Sequence, residues 1–264
     1  MHEIPGEQFE RVLPLLAGGD WRPVLPEAVC ERINPGRVFV DRADAPSSAW
    51  IWLACGYFYL CGQPPADAAQ SLADQMNADL VQAWAAVGER GLVLAPLSAG
   101  WQAVLEGFLA GKHYAPIYRR EYRLNPGRFR PSAAPPGFRL RRMDADLLAR
   151  LGGMTTWRSP ADFLAHGLGF CLLDGEEIAA HCASVFASRT RVEIDVHTAE
   201  GCRRRGLAHA AASALVKACL EEGREPNWEC FWNNEPSNAL AGSLGFEKCA
   251  DHAAFYWEPE NKQG

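Results

Sequence analysis

The sequence lacks the features that most quickly assign a chain to a chemistry. It has no Walker-type phosphate loop and no GxGxxG, which argues against ATP and dinucleotide cofactors. It has no CxxC pair, and its 9 cysteines are an odd set, so neither a disulfide framework nor a structural zinc site is expected and no metal is assigned. Most of these cysteines lie in apolar runs, as Cys55 does, and read as small buried hydrophobes in a reducing, cytoplasmic setting. No apolar run reaches bilayer length; the longest, Ala49 to Gly62, contains Tyr, Cys and Gly and reads as buried strand. The opening Met1-His-Glu-Ile-Pro5 shows no basic segment leading into an apolar one, so a secretory signal is not expected. An excess of base is also missing. Lys and Arg total 26 against 32 Asp and Glu, a net charge of -6, so nucleic acid is not an expected partner, and nor is a membrane.

What is present is an ordinary globular composition: 264 residues, 48% hydrophobic and 22% charged, enough for one large domain or two compact ones. Repeated Pro and Gly from Asn125 to Gly137 deny the backbone a regular period, so residues 126–137 read as a linker between an N-terminal α/β domain, 1–125, and a second domain, 138–264. In the first, strands are expected at Arg37–Asp41, at Ser48–Leu60, at Leu92–Leu94 and at Tyr114–Leu124. Helices are expected from Ala66 to about Val87 and from Ser98, a candidate N-cap, to Leu109. After the linker the pattern reads strand (Phe138–Met143), two short helices (Asp144–Leu151, Ser159–His166), then strands Leu168–Leu173 and Glu177–Ala187 joined through Asp174-Gly175. A strand at Arg191–Thr198, a long helix from Gly206 to Glu222, a strand at Asn227–Trp232, a helix at Pro236–Leu244 and a last strand around Phe255–Trp257 complete it.

One segment carries chemistry. A strand delivers the chain to Arg203-Arg204-Arg205-Gly206-Leu207-Ala208, and a helix begins inside it. Unsatisfied N–H groups and the positive end of the dipole make a helix start an anion site, and Gly206 and the small Ala208 let the backbone approach a phosphate. A diphosphate suits this arrangement; on composition alone, a solvated basic turn is the equal alternative.

These residues resemble the GNAT superfamily of N-acetyltransferases, whose pyrophosphate loop has Gln or Arg, two free positions, Gly, one free position, then Gly or Ala; Arg203, Gly206 and Ala208 fill those places. Glu193 to Thr198 followed by Arg203 to Ala212 is more closely similar to the GNAT branch that includes the self-resistance enzyme for the aminopolyol antibiotic zwittermicin. The segment Asn233 to Phe246, ending Leu244-Gly-Phe246, resembles the second family motif. The resemblance covers about residues 137 to 258 and implies a GNAT fold, a mixed central sheet flanked by helices. The first half would then be a smaller divergent α/β domain, readable as a degenerate GNAT-like copy that shapes the acceptor site.

The resemblance also implies acetyl-CoA as the acetyl donor and the primary amine of a small molecule as acceptor. Val196, His197 and Thr198 would pair with the pantetheine arm as an added strand. Arg203, Arg204, Arg205, Gly206, Leu207 and Ala208 would hold the pyrophosphate, and Asn234 and Ser237 would contact the cofactor; a helix N-cap is the alternative there and is compatible. Glu193 is the first candidate for the catalytic base, Asp195 the second, and His197 the third or a rim residue. The three alternate on one strand and share a face, with Val192, Ile194 and Val196 on the other. A polar strand face lining a wet cleft is the competing account. Where many family members carry a Tyr seven residues after the motif Asn, this chain has Ala241, so Tyr256 or solvent would protonate the leaving thiolate. In the first half Trp50, Trp52, Tyr57, Phe58, Trp84 and Trp101 read as aromatic core rather than acceptor pocket. Arg119, Arg120, Arg123, Arg128 and Arg130 read as a solvated edge. A CoA-binding sensor, a protein acetyltransferase and a homodimer stay open.

Overall fold

The computed structural model describes residues 1–18, 21–76 and 91–258. The chain divides into two compact units, Met1–Tyr118 with the segment from His252 onward, and Arg119–Asp251. Both cuts fall inside strands, Tyr114–Leu124 and Phe246–Trp257, so that each of these strands is shared between the units. The stretch 126–137 lies within the second unit, where Phe129 and Ala134, with Phe138 just beyond, pack against its core. Prolines and glycines there allow a short 3-10 turn, Pro126–Arg128, and the apolar side chains beyond it are still partly buried.

The first unit contains strands β1 (His2–Glu3), β2 (Gly36–Val40), β3 (Ser48–Leu53), β4 (Tyr57–Gly62) and β5 (Leu92–Pro96), closed by the end of β12 (Phe246–Trp257). Their order is β1-β2-β3-β4-β5-β12, antiparallel except for the parallel pair β4 and β5. Helices α1 (Leu13–Ala17) and α2 (Val24–Cys30) follow β1, α3 (Ala68–Gln75) lies between β4 and β5, and α4 (Ala99–Leu109) follows β5. The single strand expected over Ser48–Leu60 is a hairpin: Gly56, at φ 86°, takes the left-handed conformation a turn needs, and its N–H donates to the Leu53 carbonyl at 3.0 Å. Residues 77–87 of the helix expected from Ala66 lie outside the described residues. Trp50, Phe58 and Trp101 are fully buried, and the Trp101 indole N–H donates to the Cys61 carbonyl at 3.0 Å, which satisfies its one polar atom. They are core. Trp52 and Tyr57 are half-buried, and Trp84 lies outside the described residues.

The second unit repeats the plan. Strand β6 (Tyr114–Leu124) enters it at Arg119, followed by β7 (Phe138–Arg142), helices α5 (Ala145–Arg150) and α6 (Pro160–His166), and strands β8 (Gly169–Asp174), β9 (Glu177–Ala187) and β10 (Arg191–Thr198). Helix α7 (Leu207–Glu221), strand β11 (Glu225–Phe231) and helix α8 (Glu235–Leu244) complete it. Strand order is β6-β11-β10-β9-β8-β7, again with one parallel pair, β10 and β11. Among the described residues, two helices after the leading strand, a helix between the parallel strands and one after them recur in both units, the layout expected of a GNAT domain and of a divergent copy. Caps follow the sequence: the hydroxyls of Ser98 and Ser159 and the carboxylate of Asp144 accept backbone N–H groups at the starts of α4, α6 and α5. Helix α7 is rich in alanine, a strong helix former whose small side chain lets the helix lie close on the sheet, and Gly223 at φ 70° ends it. Among the described residues no helix is long and apolar enough to cross a membrane.

Candidate functional site

In the second unit β10 and β11 stay paired only from Arg191 opposite Glu225 to Glu193 opposite Asn227. Beyond that, β10 runs to Thr198 against β9 alone and β11 to Phe231 against β6 alone, so the sheet splits. A cleft of ≈ 720 Å³ occupies the split. It is lined from β10 by Ile194 to Thr198, from β11 by Trp228 to Phe231, from the following turns by Arg203, Arg204, Gly206, Ala208, Asn234 and Ser237, and from β6 by Arg119.

At one end the cleft meets the start of α7. Its first hydrogen bond runs from the Ala210 N–H to the Gly206 carbonyl, so the N–H groups of Leu207, Ala208 and His209 have no acceptor within the helix. Arg204 (φ 61°) and Gly206 (φ 78°) are left-handed, a backbone that turns N–H groups into an anion-binding concavity. Arg203 and Arg204 line this place. Arg205 does not: its guanidinium lies over the Phe138 ring, 4.6 Å from the centroid. These residues fit a diphosphate, and the open strand edges of the split fit an extended amide-bearing chain. Asn234 caps α8, its side-chain oxygen accepting the Ser237 N–H at 3.2 Å, and Ser237 Oγ accepts the Trp228 indole N–H at 3.1 Å; cap and cleft wall are the same residues.

The carboxylate candidates separate. Val192, Ile194 and Val196 pack with Trp228 and Cys230 in the core beside α7, which leaves Glu193, Asp195 and His197 on the opposite face. Asp195 is exposed and lines the cleft. Glu193 does not line it. It is 4% exposed, accepting the Asn227 amide on one oxygen and the Glu229 backbone N–H, at 3.2 Å, on the other. Burial first, and then the Glu229 carboxylate nearby, push its pKa well above the ordinary carboxylate range. Its side chain thus fills the apex of the split and satisfies an N–H that the parting strands leave behind. His197 lies level with His181, ring centroids 5.3 Å apart, and burial, with His197 beside it, lowers the His181 pKa. Tyr256 belongs to the first unit, where its hydroxyl donates to Glu258 at 3.0 Å. Ala241 is fully buried.

Two lining residues escape a sequence reading centred on motifs. Glu229 reaches the cleft on the face of β11 it shares with Asn227 and Phe231, and Arg119 donates to its carboxylate at 2.8 Å and to its carbonyl at 3.2 Å. A glutamate inside the buried strand Asn227–Trp232 was the available signal. The basic run from Arg119 is not simply solvated, since Arg119, Arg120 and Arg128 pair with Glu229, Asp251 and Glu247.

Known proteins resemble the chain in sequence and in fold. The chain is 27% identical over 247 residues, 89% of its length and 90% of the relative's, to the uncharacterized N-acetyltransferase YdfB of Bacillus subtilis (strain 168). It is similar in fold to a GCN5-related N-acetyltransferase-like protein of Streptococcus suis 89/1591, with a TM-score of 0.72, 23% identity and coverage of 96% of this chain and 99% of that one. A tandem GNAT protein from the clavulanic acid biosynthesis pathway gives a TM-score of 0.65 at 12% identity, covering 98% and 99%. The model of the GNAT acetyltransferase family matches residues 14–255, across both halves of the sequence, and the chain belongs to that family.

Proposed function

We propose that the chain transfers an acetyl group from acetyl-CoA to a primary amine of a small molecule, R–NH3⁺ + acetyl-CoA giving R–NH–acetyl + CoASH + H⁺, in the cytoplasm. The observation that carries this reading is the split between β10 and β11 running into the free N–H groups at the start of α7. When bound, acetyl-CoA supplies a thioester whose acetyl carbon an amine attacks directly. The part of the chain is to position and to handle protons. The loop from Arg203 to Ala208 holds the pyrophosphate through backbone N–H groups and the Arg203 and Arg204 side chains, while Arg205 braces the loop from outside. The open edge at Val196, His197 and Thr198 offers backbone groups to the pantetheine amides, with Asn234 and Ser237 on the facing wall. The amine must be uncharged to attack, and Glu229, which lines the cleft, is placed to receive its proton, with Glu193 supporting from behind and Asp195 on the opposite lip. Similarity to the zwittermicin self-resistance branch favours a small polar acceptor over a protein.

Acetyl-CoA at about 100 times its Kd should stabilise the chain by about 2.7 kcal/mol, a melting shift of roughly 5–10 °C. An amine library should then release CoA thiol. No shift with acetyl-CoA would sink the reading; a shift with no thiol release from any amine would favour a CoA-binding sensor.

One acetyl-CoA is expected per chain. In the first unit β4 and β5 remain paired from Tyr57 to Leu60, the Leu97 N–H donates to the Leu60 carbonyl at 2.8 Å, and the segment entering α3 carries Pro64 and Pro65, which have no N–H to offer. Native mass spectrometry should show a single cofactor bound, and two would show that the first unit also opens.

A further inference from the structure

The two carboxylates on the cleft are placed in a way that bears on the acceptor. Glu193 and Asn227 are the last level pair before β10 and β11 part. Side chains alternate along each strand, so the next positions on that face are Asp195 on one lip and Glu229 on the other, both lining the cleft. The opposite face, with Ile194 and Trp228, is packed against the core beside α7. The widening split therefore presents one carboxylate from each side, away from the phosphate-binding helix.

Their surroundings differ. The Glu229 side chain is 3% exposed and clamped by Arg119, whose guanidinium also lies 4.6 Å from the centroid of the Phe231 ring. Asp195 is exposed, and among the described residues no hydrogen bond or ion pair holds its carboxylate. A single ammonium gripped by both groups would be stabilised in its charged form, whereas attack requires that nitrogen to lose a proton. Two carboxylates so unlike each other suit two nitrogens better than one.

We propose that the acceptor is an aliphatic amine whose remote end carries a second positive charge. The reacting nitrogen lies beside the buried Glu229 and Arg119 pair, and the second ammonium rests on Asp195. An acceptor with a neutral remote end loses that contact, and one with a carboxylate there meets like charge. This deepens the acetyl-transfer reading above and rests on it.

The test compares 1,4-diaminobutane, 1-aminobutane and 4-aminobutanoate, which differ mainly in the charge of the remote end. Two measurements are made on the full chain: thiol release with acetyl-CoA, and calorimetric affinity for each amine in the presence of saturating CoA, which needs no turnover. Both kcat/KM and affinity should fall in that order, by about tenfold a step. Asp195→Asn, an exposed change whose melting temperature is checked against wild type, should bring the three within about threefold of one another. Equal values for the three amines, a preference for 4-aminobutanoate, or an order unchanged in Asp195→Asn overturns the proposal while thiol release leaves acetyl transfer standing. If no amine releases thiol, acetyl transfer fails by that result, and the calorimetric order still decides the charge preference.

Discussion

Gly206→Glu is expected to weaken acetyl-CoA binding at least about a hundredfold while leaving the chain folded. Gly206 sits at φ 78°, ψ 3° as the N-cap of α7, a left-handed conformation that costs an L-residue about 1–2 kcal/mol. Space is not the obstacle, since a Cβ there would meet only the Pro135 side chain at 3.8 Å. The new carboxylate would be drawn to the free N–H groups of Leu207, Ala208 and His209, which returns about 0.3–1 kcal/mol to stability. That attraction is what removes the ligand, because the side chain then occupies the anion site and repels a diphosphate. Gly206→Ala separates strain from charge: the same backbone cost without the carboxylate should lower affinity by about tenfold or less. Titration calorimetry of both variants decides it. Binding by Gly206→Glu within about tenfold of wild type would mean that the pyrophosphate lies elsewhere.

That loop was legible from the sequence because its chemistry is local. A strand, a glycine and a helix start fix where N–H groups are left without partners in the helix, whatever the rest of the fold does. The cap Ser98 and the helix starts at Asp144 and Ser159 were legible for the same reason. Features decided by distant partners were not. Ala49 to Gly62 is apolar throughout, so nothing polar marks the hairpin at Gly56. β12 begins at Phe246 although Glu247, Lys248 and Asp251 are exposed, because its ladder hydrogen bonds come from strands far away in sequence. At the site, the loop's arginines could be counted but not aimed: Arg205 finds Phe138 from a strand 67 positions earlier, as the ring contact records. The alternation placing Glu193, Asp195 and His197 on one face was readable, but it could not distinguish Asp195, which lines the cleft, from Glu193, which lies behind its apex.

Glu193 provides the sharpest contrast between a structural and a chemical role. Glu193→Ala would leave the Glu229 N–H and the Asn227 amide without their acceptor in a buried place, a loss of about 2–4 kcal/mol. Glu193→Gln keeps an acceptor, and the Asn227 amide can turn to complement it, so it should fold. Its stability should also respond differently to pH. The folded-state pKa of Glu193 is raised, by burial first and by Glu229 second, so between the ordinary carboxylate range and that raised value the folded chain binds more protons than the unfolded one. Stability must therefore fall as pH rises through that window, by up to about 1.4 kcal/mol per pH unit from this group, and Glu193→Gln removes that slope. Urea denaturation at pH 5 and pH 8 should show the Gln variant gaining on wild type at the higher pH; parallel curves would mean that the carboxylate titrates normally. Activity then distinguishes base from support. A base in contact with the amine cannot be replaced by an amide, so Glu229→Gln should lower kcat at least about a hundredfold. Glu193→Gln, acting only through the backbone of Glu229, should lower it by about tenfold or less and shift the pH profile of kcat. A loss at Glu193 as large as that at Glu229, with the fold intact, would return the proton-accepting role to Glu193 and require the apex of the split to open when substrate is bound.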